Sequence, residues 1–141
     1  MTHPMISDVI FSLAYAYKTR MRDELNANEL GLNGMHIRCL TYISATPNST
    51  ANDIVHHFSR DKAQIARLVK EMINNGWIVK SPNPEDKRSQ LLSLTEDGAS
   101  IVKKAVAAQA KVHQLMQDSL SEQELSDFIA TANKIKSNLS F

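Results

Sequence analysis

The sequence predicts a mostly α-helical fold carrying one small β-hairpin. Three observations point there. Glycine and proline number only 4 each in 141 residues, so helix breakers are sparse. Apolar residues recur at helical spacing along most of the chain. The period changes once, at Trp77-Ile78-Val79-Lys80, into a β-branched and aromatic run that reads as a strand. The length suits a single domain, 1–141, with a core that needs no disulfide or metal staple.

Each element follows from local chemistry. Residues 5–29 read as one long helix, with Ile6, Val9, Ile10, Leu13, Tyr17 and Met21 as its stripe. Phe11, Ala14 and Tyr15 widen the apolar surface beyond one face, which predicts burial on more than one side, the second against a partner subunit. Asn33 is a candidate N-cap for a helix over Met35–Ala45 that turns Ile37, Leu40, Tyr42 and Ile43 inward or half inward. Pro47-Asn48-Ser49 ends it. Thr50 and Asp53 form a capping-box pattern ahead of Ile54, Val55 and Phe58. After the turn Ser59-Arg60, a helix over about Asp61–Asn75 places Ile65, Leu68, Val69, Met72 and Ile73 on one face. Its opposite face carries Ala63, Gln64, Ala66, Arg67 and Lys70, and Asn75-Gly76 stops it. The strand that follows is closed by a loop over Pro82–Ser89, and Gln90–Leu94 returns as its partner. Thr95 caps a helix whose apolar residues Ile101, Val102, Val106, Val112, Leu115 and Met116 carry it to about Asp118. Ser121-Glu122-Gln123-Glu124 opens the last helix, which carries Leu125, Phe128, Ile129, Ala132, Ile135 and Leu139 and ends close to Phe141.

Composition excludes several functions. No apolar run approaches the ~20 residues of a spanning helix, and Met1–Met5 shows no secretion signal, so the expected compartment is the cytoplasm. A single cysteine leaves no intramolecular disulfide and no cysteine-cluster zinc site. His56 and His57 are adjacent and point apart, with no supporting carboxylate cluster, so no metal or cofactor is expected. No phosphate loop, zinc-protease or hydrolase motif is present, so no enzyme is expected. The net charge of +1, from 16 basic and 15 acidic residues, argues against coating nucleic acid by bulk charge. That charge is uneven. Residues 59–90 hold seven basic side chains (Arg60, Lys62, Arg67, Lys70, Lys80, Lys87, Arg88) against four acidic ones, a surplus of three.

Two short helices joined by a tight turn and followed by a hairpin form a winged helix-turn-helix, here flanked by longer helices. A helix fits the DNA major groove, where each base pair shows a distinct donor and acceptor pattern. Ala63 and Ala66 allow close approach, Gln64 suits adenine, and Arg67 suits guanine or a phosphate.

The hairpin tip carries Asp86-x-Arg88, and Leu94-Thr95-x-x-Gly98 follows at its base. With Asp61-Lys62-Ala63-Gln64-Ile65, Arg67-Leu68-Val69 and Gly76-Trp77-Ile78-Val79, the chain resembles the MarR family of bacterial transcription regulators along nearly its whole length. The resemblance implies a sequence-specific regulator of double-stranded DNA, a repressor released by a small aromatic or lipophilic acid. It implies a DNA-binding lobe over 32–98 and a helical dimerisation region from 1–31 and 99–141. A homodimer would then place two recognition helices on a pseudo-palindromic operator, with half-sites one turn apart. Lys62, Gln64 and Arg67 would enter the major groove. Arg88 would reach the minor groove, Asp86 would orient basic groups of the wing or the adjoining body by ion pairing, and Ser59, Arg60, Lys70 and Lys87 would meet phosphates. A winged-helix module that has lost DNA binding and a non-specific architectural binder are the competing readings.

Two further positions carry open alternatives. Cys39 lies among apolar neighbours. Some relatives sense oxidants through a cysteine near the start of the first helix, but this chain has none there, and a buried thiol is ordinarily a small hydrophobe. His36 reads either as a hydrogen-bonded structural histidine or, with Phe11, Tyr15 and Cys39, as lining of the effector crevice.

Overall fold

The computed structural model of the chain describes residues 4–26 and 30–140. They belong to two compact units that divide at residues 109 and 110. The first unit opens with α1, Ile6–Leu25. It ends at Asn26, which is left-handed (φ 50°) and returns its N–H to the carbonyls of Arg22 and Asp23. The expected helix over 5–29 is therefore shorter, because Asn is one of the few side chains that tolerates that conformation and stops a helix there. Residues 27–29 lie outside the described residues.

Helix α2, Gly34–Ala45, starts where Asn33 predicts. Asn33 Oδ1 accepts the His36 N–H at 2.9 Å, and the Asn33 N–H donates to His36 Nδ1 at 3.2 Å. An imidazole thus takes the place of the usual Glu in a capping box. Helix α3, Ala51–Phe58, has the box that Thr50 and Asp53 predict, with bonds of 3.2 and 3.0 Å. Helix α4 spans Lys62–Asn74. Gly76, at φ +78°, turns the chain into Trp77 and the hairpin.

Strand β1, Ile78–Pro82, pairs antiparallel with β2, Gln90–Leu94, with Ile78 opposite Leu94 and Pro82 opposite Gln90. Pro82 was expected in the loop. It closes β1 because the last position of an edge strand tolerates the missing N–H. On the other side of β2 the Leu92 N–H donates to Ser49 O at 2.8 Å, and Thr50 bridges to Leu91. The wing is thereby tied to the segment before α3.

Helix α5, Glu96–Gln117, begins on Thr95. The Thr95 hydroxyl donates to Gly76 O at 2.6 Å and accepts the Gly98 N–H at 3.1 Å, while the Thr95 N–H donates to Trp77 O at 3.0 Å. Gly98 has no room for a side chain, since a Cβ would collide with the Trp77 carbonyl. The Leu-Thr-x-x-Gly pattern is therefore a joint between wing base and helix. One core serves this unit. Cys39, Leu40 and Ile43 of α2, Ile54 of α3, Ile65, Leu68, Val69 and Met72 of α4, Trp77, Ile78 and Leu92 of the wing, and Ile101, Ala105 and Ala108 of α5 cluster together. Of the apolar residues that mark this helix, Val106 is exposed, while the small Ala105 and Ala108 are buried.

In the second unit, the end of α5 carries buried Val112 and exposed Leu115 and Met116. Helix α6, Glu122–Leu139, starts with the predicted box between Ser121 and Glu124, both bonds at 3.0 Å. None of its residues is buried. Leu125 and Ile135 are half-buried, while Phe128, Ile129 and Leu139 are exposed. Phe141 lies outside the described residues.

Candidate nucleic-acid interface

The turn between α3 and α4 aims the second helix outward. Ser59 adopts the left-handed conformation, φ 51°, and its N–H donates to His56 O at 3.3 Å. The Arg60 N–H then reaches back to Val55 O at 3.1 Å, which closes the corner. Asp61 stands at the N-cap of α4 without a side-chain bond to it.

Helix α4 has two unlike faces. Ile65, Leu68, Val69 and Met72 are buried. Lys62, Ala63, Ala66, Arg67 and Lys70 are exposed, and Gln64 is half-buried. Lys62, Arg67 and Lys70 have no ion-pair partner among the described residues. Their charge is therefore available to an external anion, and the amide-rich start of the helix adds to it.

A histidine steadies the inner side. His36 Nε2 lies 2.8 Å from Glu71 Oε2 on α4, and its ring meets Trp77 edge-on at 5.3 Å. Because Nδ1 accepts the Asn33 N–H, the proton sits on Nε2 and is donated to Glu71. His36 thus couples the start of α2 to the middle of α4 and leaves neither ring nitrogen free. Burial pushes the neighbouring Cys39 thiol up to about 11, against the opposing pull of Arg38.

At the wing tip the Arg88 N–H donates to Asp86 Oδ1 at 2.9 Å, and Arg88 Nε lies 3.6 Å from the same oxygen. The Arg88 side chain is nevertheless 93% exposed. Lys87 is exposed beside it.

The positions expected from sequence thus fall into three groups. Ser59, Arg60, Lys62, Ala63, Gln64, Arg67 and Lys70 share the turn and outer side of α4. Asp86, Lys87 and Arg88 share the wing loop, whose strand β1 packs on α4. The four effector positions divide. Phe11 and Tyr15 are 71% and 73% exposed on α1, whereas His36 and Cys39 are buried in α2. Glu71, Asn83 and Ser89 were passed over in the sequence. Only the Asn-Pro pair, a turn starter, signalled one of them.

Comparison with known proteins bears on the fold and the family. A model described as the MarR family matches residues 30–89. The transcriptional regulator BilQ of Clostridioides difficile is 26% identical over 104 residues, covering 74% of this chain and 70% of its own. The multiple antibiotic resistance protein MarR of Salmonella typhimurium is 27% identical over 107 residues, covering 75% and 74%. Among solved structures, a Staphylococcus aureus MepR–DNA complex superposes with TM-score 0.88 at 19% identity, over 97% of this chain and 100% of that one. A mutant Escherichia coli MarR complexed with operator DNA gives 0.81 at 21% identity, over 92% of both chains. The fold shared with these structures is the winged helix.

Proposed function

The chain belongs to the MarR family, and on that premise we propose that it is a sequence-specific DNA-binding regulator of transcription, acting as a homodimeric repressor in the cytoplasm. The observation that carries this reading is α4. One side is locked into the core, and the other presents Lys62, Gln64, Arg67 and Lys70, whose cations have no ion-pair partner among the described residues. Relatives named as transcriptional regulators and neighbours solved with DNA support it. In this reading, Lys62, Gln64 and Arg67 meet base edges across the small Ala63 and Ala66. Ser59, Arg60, Lys70 and Lys87 meet phosphates, and Arg88, braced by Asp86, enters the minor groove. The protein performs binding rather than catalysis.

The lobe over 32–98 contacts DNA, and 1–31 with 99–141 form the dimer. Val9, Ile10 and Leu13 of α1 and Phe128 and Ile129 of α6 are apolar and exposed in the single chain. A second copy of the chain is the partner that covers them. The effector class we propose is a small aromatic or lipophilic acid. Phe11 and Tyr15 are open to it, while His36 and Cys39 are closed off in the core.

Sedimentation of the full chain, alone and with duplexes selected from a randomised library, tests the proposal. A dimer at micromolar concentration and a selected site with half-sites ~34–36 Å apart are expected. A stable soluble monomer, or a library that yields no enriched duplex, overturns it.

A further inference from the structure

The wing loop is closed by its own side chains. Two turns follow each other, Asn83–Asp86 and Asp86–Ser89, with backbone bonds of 3.3 and 3.2 Å between their ends. Each begins with a residue whose side-chain oxygen accepts the N–H two positions on. Asn83 Oδ1 takes Glu85 at 3.0 Å, and Asp86 Oδ1 takes Arg88 at 2.9 Å. Pro84 presets the backbone angle at the second position of the first turn. One bond spans the whole loop. Asn83 Nδ2 donates to Ser89 Oγ at 3.0 Å, and that hydroxyl leans onward to Asp86 O at 3.5 Å. Asn83 and Ser89 are half-buried where the strands end, whereas Lys87 and Arg88 stand in solvent.

Arg88 contributes little to this closure. Among the described residues its guanidinium is held only by the long contact to Asp86, so the loop decides where it points. We propose that Asn83 and Ser89 are positioning residues for DNA binding, a latch that holds the wing tip in one conformation and presents Arg88 ready to enter the groove. This rests on the DNA-binding reading and deepens it. An unlatched loop must be ordered when it binds, and that ordering is subtracted from affinity.

The latch separates from a direct contact by salt dependence. Full-length wild type, Asn83→Ala, Ser89→Val, Ser89→Thr and Arg88→Ala are titrated with a duplex selected by the wild-type chain, over a range of salt. Arg88→Ala removes a charge, so its log–log salt slope becomes shallower by about one. Asn83→Ala and Ser89→Val remove none. They lose affinity about 3- to 10-fold at every salt with the slope unchanged. Ser89→Thr keeps the hydroxyl and binds as wild type. The double variant Asn83→Ala/Ser89→Val loses less than the sum of the two single losses, because both remove the Asn83–Ser89 bond. In the free protein, exchange of the Glu85 amide speeds up in Asn83→Ala while the melting temperature stays put. If Arg88→Ala weakens binding and Asn83→Ala does not, the latch is refuted and the DNA reading stands. If Arg88→Ala binds as wild type does, the wing makes no contact and the positioning role falls with it.

Discussion

Replacing Gly98 with Ala should damage this fold more than its single added carbon suggests. The first turn of α5 lies directly against the backbone at Trp77, and the new Cβ would occupy the place of the Trp77 carbonyl oxygen. A flexible side chain could give way there. A backbone carbonyl that already accepts the Thr95 N–H at 3.0 Å cannot move without loss. Relieving the clash means lifting α5 from the wing base, which strains the Thr95–Gly76 and Gly98–Thr95 bonds. Overpacking costs ~1–3 kcal/mol, and each weakened bond adds about 1 kcal/mol. The expected loss is therefore about 3–5 kcal/mol, a large share of a small domain's stability. Urea unfolding of the full chain reads it directly. Gly34→Ala is the control, because its Cβ meets open space at the start of α2, and it should be neutral or slightly stabilising. Equal midpoints for Gly98→Ala and wild type would refute the close approach, and with it the explanation of the Leu-Thr-x-x-Gly pattern as a joint.

Other outcomes follow from single contacts. Ser59→Gly should stabilise the helix-turn-helix corner by about 1 kcal/mol in thermal or urea unfolding, since Ser59 sits at φ 51° where a side chain is strained. His36→Phe keeps a ring beside Trp77 but strands the Asn33 N–H and releases Glu71. It should cost ~1–3 kcal/mol by urea unfolding. Cys39 should resist thiol reagents at pH 8 until the chain is unfolded, because burial pushes its thiol to about 11. The folded thiol holds its proton more tightly than an ordinary thiol, whose value is 9.0, so stability is full below about 9 and declines as pH rises towards about 11. A pH titration of unfolding should follow that course.

Short-range chemistry was legible in the sequence. The caps at Asn33, Thr50 and Ser121 each depend on two residues three positions apart, and all three formed. The inner stripe of α4 was legible because Ile65, Leu68, Val69 and Met72 are large and evenly spaced. The inner face of α5 was not legible, because hydropathy ranks Val106 above Ala105 and Ala108. Close packing in the first unit selects small residues there instead. The tie from His36 to Glu71 joins positions 35 residues apart, so no local spacing announces it. The Asn83–Ser89 bond hid for another reason. Proline and asparagine signal a turn but not which side chain closes it. On α1 the wide apolar surface was legible. The single chain leaves the first half of that surface exposed.

The central claim is that the outer side of α4 reads DNA sequence. Its most direct test compares the affinities of wild type and Arg67→Ala for a selected duplex and for a scrambled one of equal length, at one fixed salt. Wild type should prefer the selected duplex by at least ~10³-fold. Arg67→Ala should lose ~1–3 kcal/mol on the selected duplex and far less on the scrambled one. Equal binding of both duplexes by the wild-type chain would contradict the claim.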